Sequence, residues 1–128
     1  MAASSRDRLG RPLRGPNNES RAFPQVPERD YVSGETAWLE AMNYLQQDLP
    51  FHLHEVCEQR WRCAPETERN IWRGLAQWGA ALTHEVRGND SGARRLAERA
   101  TNTINSAGDI PTYIDIKLVH ASIESLML

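Results

Sequence analysis

Residues 50–63 read Pro-Phe-His-Leu-His-Glu-Val-Cys-Glu-Gln-Arg-Trp-Arg-Cys, and this stretch carries the most informative pattern in the chain. Pro50 suits the first position of a helix, so the stretch predicts a helix that runs to about Cys63. Within it, steps of four and three residues place His54, Glu58 and Trp61 on one helix face. An imidazole and a carboxylate that point in one direction need partners, which are each other, a metal ion or a ligand.

The chain on either side of this stretch predicts further helices. A first helix follows Ser33 and runs to about Asp48, with apolar residues at helical spacing. Later boundaries are indicated by a start at Pro65, an end at Gly88, a new start at Asn89–Ser91 and a last start near Asp115. No alternating strand pattern is visible. The sequence therefore predicts an all-α fold, a small bundle of about five helices that are mostly antiparallel.

Residues 1–30 differ from the rest in composition and predict a flexible Pro/Arg-rich leader, with a single helical domain over residues 31–128. The leader has no helical or alternating apolar period, and it carries six arginines and four acids, for a net charge of +2. Because this excess is small, a plain leader is favoured over a basic tether for an anionic partner. The remaining 98 residues carry −4.

The composition narrows the function classes. Hydrophobic residues make up 40% and charged residues 25% of the 128 residues, which is typical of a globular domain. A net charge of −2 makes nucleic acid an unlikely partner. The sequence has no apolar run of about 18 residues and no secretory signal, so we expect no membrane span and a cytoplasmic location. The partners are unknown from sequence, and a homo-oligomer stays open.

The His54–Glu58 pair leaves three interpretations open. The two side chains could form a structural hydrogen bond in the core, bind a divalent metal ion together, or act as an oriented general base. A metal needs a third ligand, and His84 is the best candidate if the second and third helices pack antiparallel. His52, two residues before His54, is expected to face solvent.

Several segments carry a resemblance to a known family. They are Pro50–Trp61, Trp72–Gln77, Leu82–His84, Arg87–Asn89 and Gly92–Ala93. From Glu35 to about Ile104, the chain resembles domain-of-unknown-function family 309, a group of uncharacterised bacterial and archaeal proteins. The resemblance implies a small all-helical fold with a His/Glu motif that has been proposed to bind metal, and it implies no assigned activity.

Carried over residue by residue, the resemblance implies a metal site of His54, Glu58 and His84, with Trp61 beside it. This chain has Cys57 where the family commonly has an aromatic residue. We expect a buried site that could hold a divalent ion of unknown identity, with Trp61, Cys57 and Trp78 as its walls. Catalytic residues and enzyme activity are left open. The alternative is a non-enzymatic scaffold or interaction module, in which the pair is a structural core hydrogen bond.

Overall fold

The structure, a computed structural model, describes residues 25–128, and this part of the chain folds into five α-helices without a β-strand. The helices are α1 (Gly34–Gln46), α2 (Pro50–Cys63), α3 (Arg69–Val86), α4 (Asp90–Asn105) and α5 (Ile116–Leu126). The all-α prediction is confirmed. None of these helices is long and apolar enough to cross a membrane. Residues 1–24 of the predicted leader lie outside the described residues.

The helix ends follow from local capping chemistry. Four predicted boundary residues occupy the expected positions, namely the N-caps Ser33, Asn89 and Asp115, whose side chains accept from backbone N–H groups, and Gly88, which has a φ of +82°. The start of α3 differs from the prediction. Residues Glu66–Glu68 form a 3₁₀ turn after Pro65, and the α-helix begins only at Arg69.

The contacts of α1 with α2, and of α2 with α3, are those of antiparallel helices. The ring of Tyr44 near the end of α1 lies 5.4 Å from the ring of His52 near the start of α2. His54 of α2 meets Ala76 of α3. Extensive contacts join α2 to α3 and α3 to α4, so α3 lies at the centre of the bundle.

The face of α2 that is buried in the core is not the His54–Glu58 face that we predicted. Leu53, Val56 and Cys57 are fully buried, whereas His54 and Glu58 are each about a quarter to a third exposed. The prediction of a buried polar face is therefore wrong, because burial of apolar surface turns the neighbouring apolar stripe towards the core. The prediction that His52 faces solvent is also wrong, since this side chain is 1% exposed and packs against α1.

Arg60 is a buried cation that joins three parts of the fold to α2. Its Nη1 donates to the carbonyl oxygen of Val32 at 3.0 Å, and its Nη2 lies 3.3 Å from a carboxylate oxygen of Glu68. The guanidinium also lies 6.0 Å from the ring centre of Trp72 on α3. Burial opposes the charge of Arg60, but the hydrogen bond to Glu68 raises its pKa above the ordinary value.

Candidate functional site

A cavity of about 300 Å³ lies between residues 25–28 and the outer face of α2. The helix side of the cavity is formed by Phe51, His54, Glu55, Glu58, Gln59 and Arg62, together with His52. These positions recur at steps of three and four, so they share one helix face. The volume is at the lower end of the range of small-ligand pockets, which begins at roughly 300 Å³.

His54 is held at both ring nitrogens. Its Nδ1 lies 2.8 Å from the carbonyl oxygen of Ala76, and its Nε2 lies 3.1 Å from Glu58 Oε2. A carbonyl oxygen can only accept, so Nδ1 carries the proton and donates it. The contact with α3 therefore fixes the tautomer of His54 and directs Nε2 towards Glu58 and the cavity.

Gly79 is the reason that α3 comes close enough to hold His54. A β-carbon placed on Gly79 would lie 2.7 Å from His54 Cα and 2.8 Å from Leu53 Cδ2. Any larger residue would therefore push the two helices apart. The absent side chain at this position allows the carbonyl of Ala76, one turn earlier on α3, to reach the imidazole.

Glu58 is shared between two neighbours on its own helix. One carboxylate oxygen faces His54 Nε2, and the other accepts a hydrogen bond from Arg62, one turn further along α2. Because Nδ1 already holds a proton, an unprotonated Nε2 would turn a lone pair towards the ionised carboxylate. The contact of His54 with Glu58 is attractive when a proton lies between Nε2 and the carboxylate oxygen, or when the two atoms hold a cation between them.

Sequence reasoning missed most of the residues that line this cavity, among them Phe51, Gln59 and Arg62. The ring of Phe51 lies 5.9 Å from that of His54, Gln59 donates to the carbonyl oxygen of Pro27 at 2.7 Å, and Arg62 binds Glu58. The signal was present in the spacing, because these three residues lie within one turn of His54 or Glu58 on α2.

His84 does not join the pair. It lies eight residues beyond Ala76 on α3, which corresponds to about 12 Å along the helix axis. Asn89 Oδ1 accepts from the Gly92 N–H at 3.0 Å, so its Nδ2 donates to His84 Nδ1, also at 3.0 Å. His84 thus holds the turn between α3 and α4. Across residues 25–128, no group of three or more His, Cys, Asp or Glu side chains could hold a metal ion.

The three predicted wall residues lie away from the cavity lining. Trp61 is half-buried, with the Arg69 guanidinium 5.3 Å from its ring centre. Trp78 is fully buried in the bundle, and its Nε1 donates to Ser122 Oγ at 2.8 Å. Cys57 is also fully buried, and burial raises the pKa of its thiol. These side chains serve packing, because the apolar face of each helix turns towards the core.

His54 Nε2 and Glu58 Oε2 are at a suitable distance from each other to bind one divalent ion, but two protein ligands are fewer than most metal sites have. Metal–ligand bonds of about 2.0–2.2 Å at angles of roughly 90–110° place adjacent donor atoms about 2.8–3.5 Å apart. The 3.1 Å between His54 Nε2 and Glu58 Oε2 lies in this range. A carbonyl that accepts from the other ring nitrogen is also the usual support of a metal-binding histidine. Two protein donors, however, are fewer than the three of most catalytic zinc sites.

Comparisons with known proteins show a family similarity for part of the chain. No curated protein and no solved structure gives a significant match. A family model matches residues 38–96, which include the His54–Glu58 pair, Gly79 and His84. This match confirms the resemblance inferred from the motifs. Over residues 38–96, the chain is similar to the family described as Domain of unknown function (DUF309), and the match brings no activity with it.

Proposed function

We propose that the protein binds a small polar ligand in the cavity beside α2, with the His54–Glu58 pair as its polar centre. The observation that carries the proposal is the hydrogen bond from His54 Nδ1 to the Ala76 carbonyl at 2.8 Å. This bond occupies Nδ1 and leaves Nε2 as the ring nitrogen that can bind a ligand. A fixed imidazole beside a carboxylate, on the wall of a cavity, is a typical recognition site for a polar molecule.

A divalent cation is the first ligand to test. His54 Nε2 and one oxygen of Glu58 would hold it, and water or a second ligand would complete its coordination. Bound there, the ion would act as a Lewis acid towards an oxygen of that second ligand. We expect weak and exchangeable binding, because there are two protein donors and because the Arg62 guanidinium already neutralises part of the Glu58 charge.

A scaffold function is the second candidate, and a different observation favours it. His54 connects α2 to α3 through a backbone carbonyl and needs no ligand to do so. In this case the pair would contribute to helix packing only, and the surface of the bundle would carry the function. The two candidates differ in whether His54 responds to added metal.

The test is a metal titration of the tag-free full chain. Zn²⁺ and Mn²⁺ are added separately while the histidine ring signals are followed by NMR, and calorimetry gives the affinity. We expect saturable binding that perturbs His54 first and that Glu58→Gln weakens by more than about tenfold. His120→Gln on α5 is the matched control and should bind as the wild type does. Binding that is absent, or that survives Glu58→Gln unchanged, would refute the metal site and favour the scaffold.

A further inference from the structure

The segment before α1 is fastened across two helices. We refer to residues 25–32 as the N-terminal strap. Arg29 of the strap makes two hydrogen bonds to the Glu40 carboxylate on α1, at 2.9 and 2.5 Å. A paired guanidinium and carboxylate form one of the strongest polar contacts of proteins. Part of the stretch expected to be a flexible leader is therefore held in place.

Gln59 extends this connection to α2. It accepts a hydrogen bond from Arg29 Nε at 2.7 Å, and its own Nε2 donates to the carbonyl oxygen of Pro27 at 2.7 Å. Arg29, Glu40 and Gln59 together form what we call the latch. Because Gln59 also lines the cavity, the latch joins the helix wall of the cavity to the strap wall.

The position of the latch relative to the cavity suggests control of access. Residues 25–28 of the strap form the wall that faces His54 and Glu58, and Arg29 of the latch follows them directly in the chain. The side chains of Arg29 and Glu40 are 22% and 26% exposed, so water can reach and replace their bonds. Further along, Val32 is anchored by Arg60, so movement of the strap would be confined to the residues before it.

We propose that the N-terminal strap is a lid on the His54 cavity and that the latch controls how often the lid opens. This inference rests on the proposed function, since it assigns regulation to the same cavity. A ligand would enter when water replaces the bonds of Arg29, and closure would then shield the ligand from solvent. Weakening the latch should therefore expose His54 without unfolding the bundle.

The test measures access to His54 without any ligand. Diethyl pyrocarbonate acylates accessible imidazoles, and peptide mass spectrometry gives the rate at each histidine of the full chain. We expect Arg29→Gln to raise the rate at His54 about three- to tenfold relative to His120, which serves as the internal reference. The matched control is Arg99→Gln, an exposed substitution on α4, which should leave both rates unchanged.

Methyl NMR of Val26 gives an independent readout of the strap, because this side chain packs against the core from the cavity wall. In Arg29→Gln, its signals should move towards random-coil positions. A released Val26 with an unchanged rate at His54 would overturn the lid, and unchanged values for both would overturn the latch. Neither measurement requires metal, so a failed metal titration would leave this result standing, and the reverse also holds.

Discussion

Gly79→Ala tests whether close contact between α2 and α3 creates the site. The added β-carbon would lie 2.7 Å from His54 Cα and 2.9 Å from His54 Cβ, against ordinary contacts of 3.4 Å or more. Both atoms belong to or adjoin the backbone of α2, so no side-chain rotation can relieve the overlap. The helices must separate, and the hydrogen bond from His54 to the Ala76 carbonyl must lengthen.

Three contributions set the expected magnitude. Overpacking a tight contact costs about 1–3 kcal/mol. Loss of the His54 hydrogen bond removes about 0.5–1.5 kcal/mol. Replacement of a helical glycine by alanine returns about 1 kcal/mol of helix propensity. We therefore expect the free energy of unfolding to fall by about 2 kcal/mol, which corresponds to a Tm lower by roughly 5–10 °C.

Urea unfolding followed by circular dichroism measures the stability, and NMR of the His54 ring measures the site. Two controls separate the effect of the glycine-to-alanine change itself from the effect of overlap with α2. At Gly108 a β-carbon meets nothing within 4 Å, so Gly108→Ala should stabilise by about 0.4–1 kcal/mol. Gly74 is also helical and tightly packed, with Ile104 Cγ1 2.6 Å from an added β-carbon, but no hydrogen bond of His54 depends on it. Gly74→Ala should therefore destabilise the protein without shifting the His54 signal. A Gly79→Ala protein of wild-type stability, with an unshifted His54 signal, would refute this account of the site.

Two further predictions concern the polar pair and the buried thiol. His54→Ala should lower the free energy of unfolding by about 1 kcal/mol, because Glu58 is partly exposed and keeps Arg62 as a partner. Urea unfolding measures this loss. A loss above about 3 kcal/mol would mean that the pair is buried. Burial raises the folded-state pKa of Cys57 far above its unfolded value of about 8.5. The buried, protonated thiol therefore contributes fully to the free energy of unfolding below that pH, and this contribution decreases as the pH rises above it. Between pH 8 and 9.5 the wild type should lose on the order of 1 kcal/mol of its free energy of unfolding through this thiol. Cys57→Ala, although less stable overall, should lack that loss in urea unfolding at the two pH values. Equal losses in the two proteins would contradict the argument.

The helices and their ends were predictable because their signals are local. Ser33, Asn89 and Asp115 cap helices through hydrogen bonds to residues three positions away, so neighbouring letters contain the information. Gly88 likewise ends α3 through its own backbone conformation. Fold class follows from such signals together with helical periodicity.

The site was only partly predictable because its geometry depends on packing between helices. The His54–Glu58 contact is local to α2 and was expected, but which face of α2 turns inward depends on its neighbours. The expected contact with His84 failed because Gly79 sets the register of α3, and this register brings Ala76 to His54 instead. The attachment of the strap depends on Arg29 meeting Glu40 and Gln59, a contact between segments that no periodicity reveals.

The bond between Arg60 and the Val32 carbonyl has a consequence for truncated versions of this protein. A fragment cut to the family match, residues 38–96, would retain the guanidinium but lose the oxygen that receives it. Arg60 would keep Glu68 as a partner, but its Nη1 would either lack an acceptor, at a cost of about 1–3 kcal/mol, or draw water into the end of α2. We therefore expect the shortest autonomously folding piece to begin before residue 32, so that fragment design should follow this hydrogen bond rather than the limits of sequence similarity.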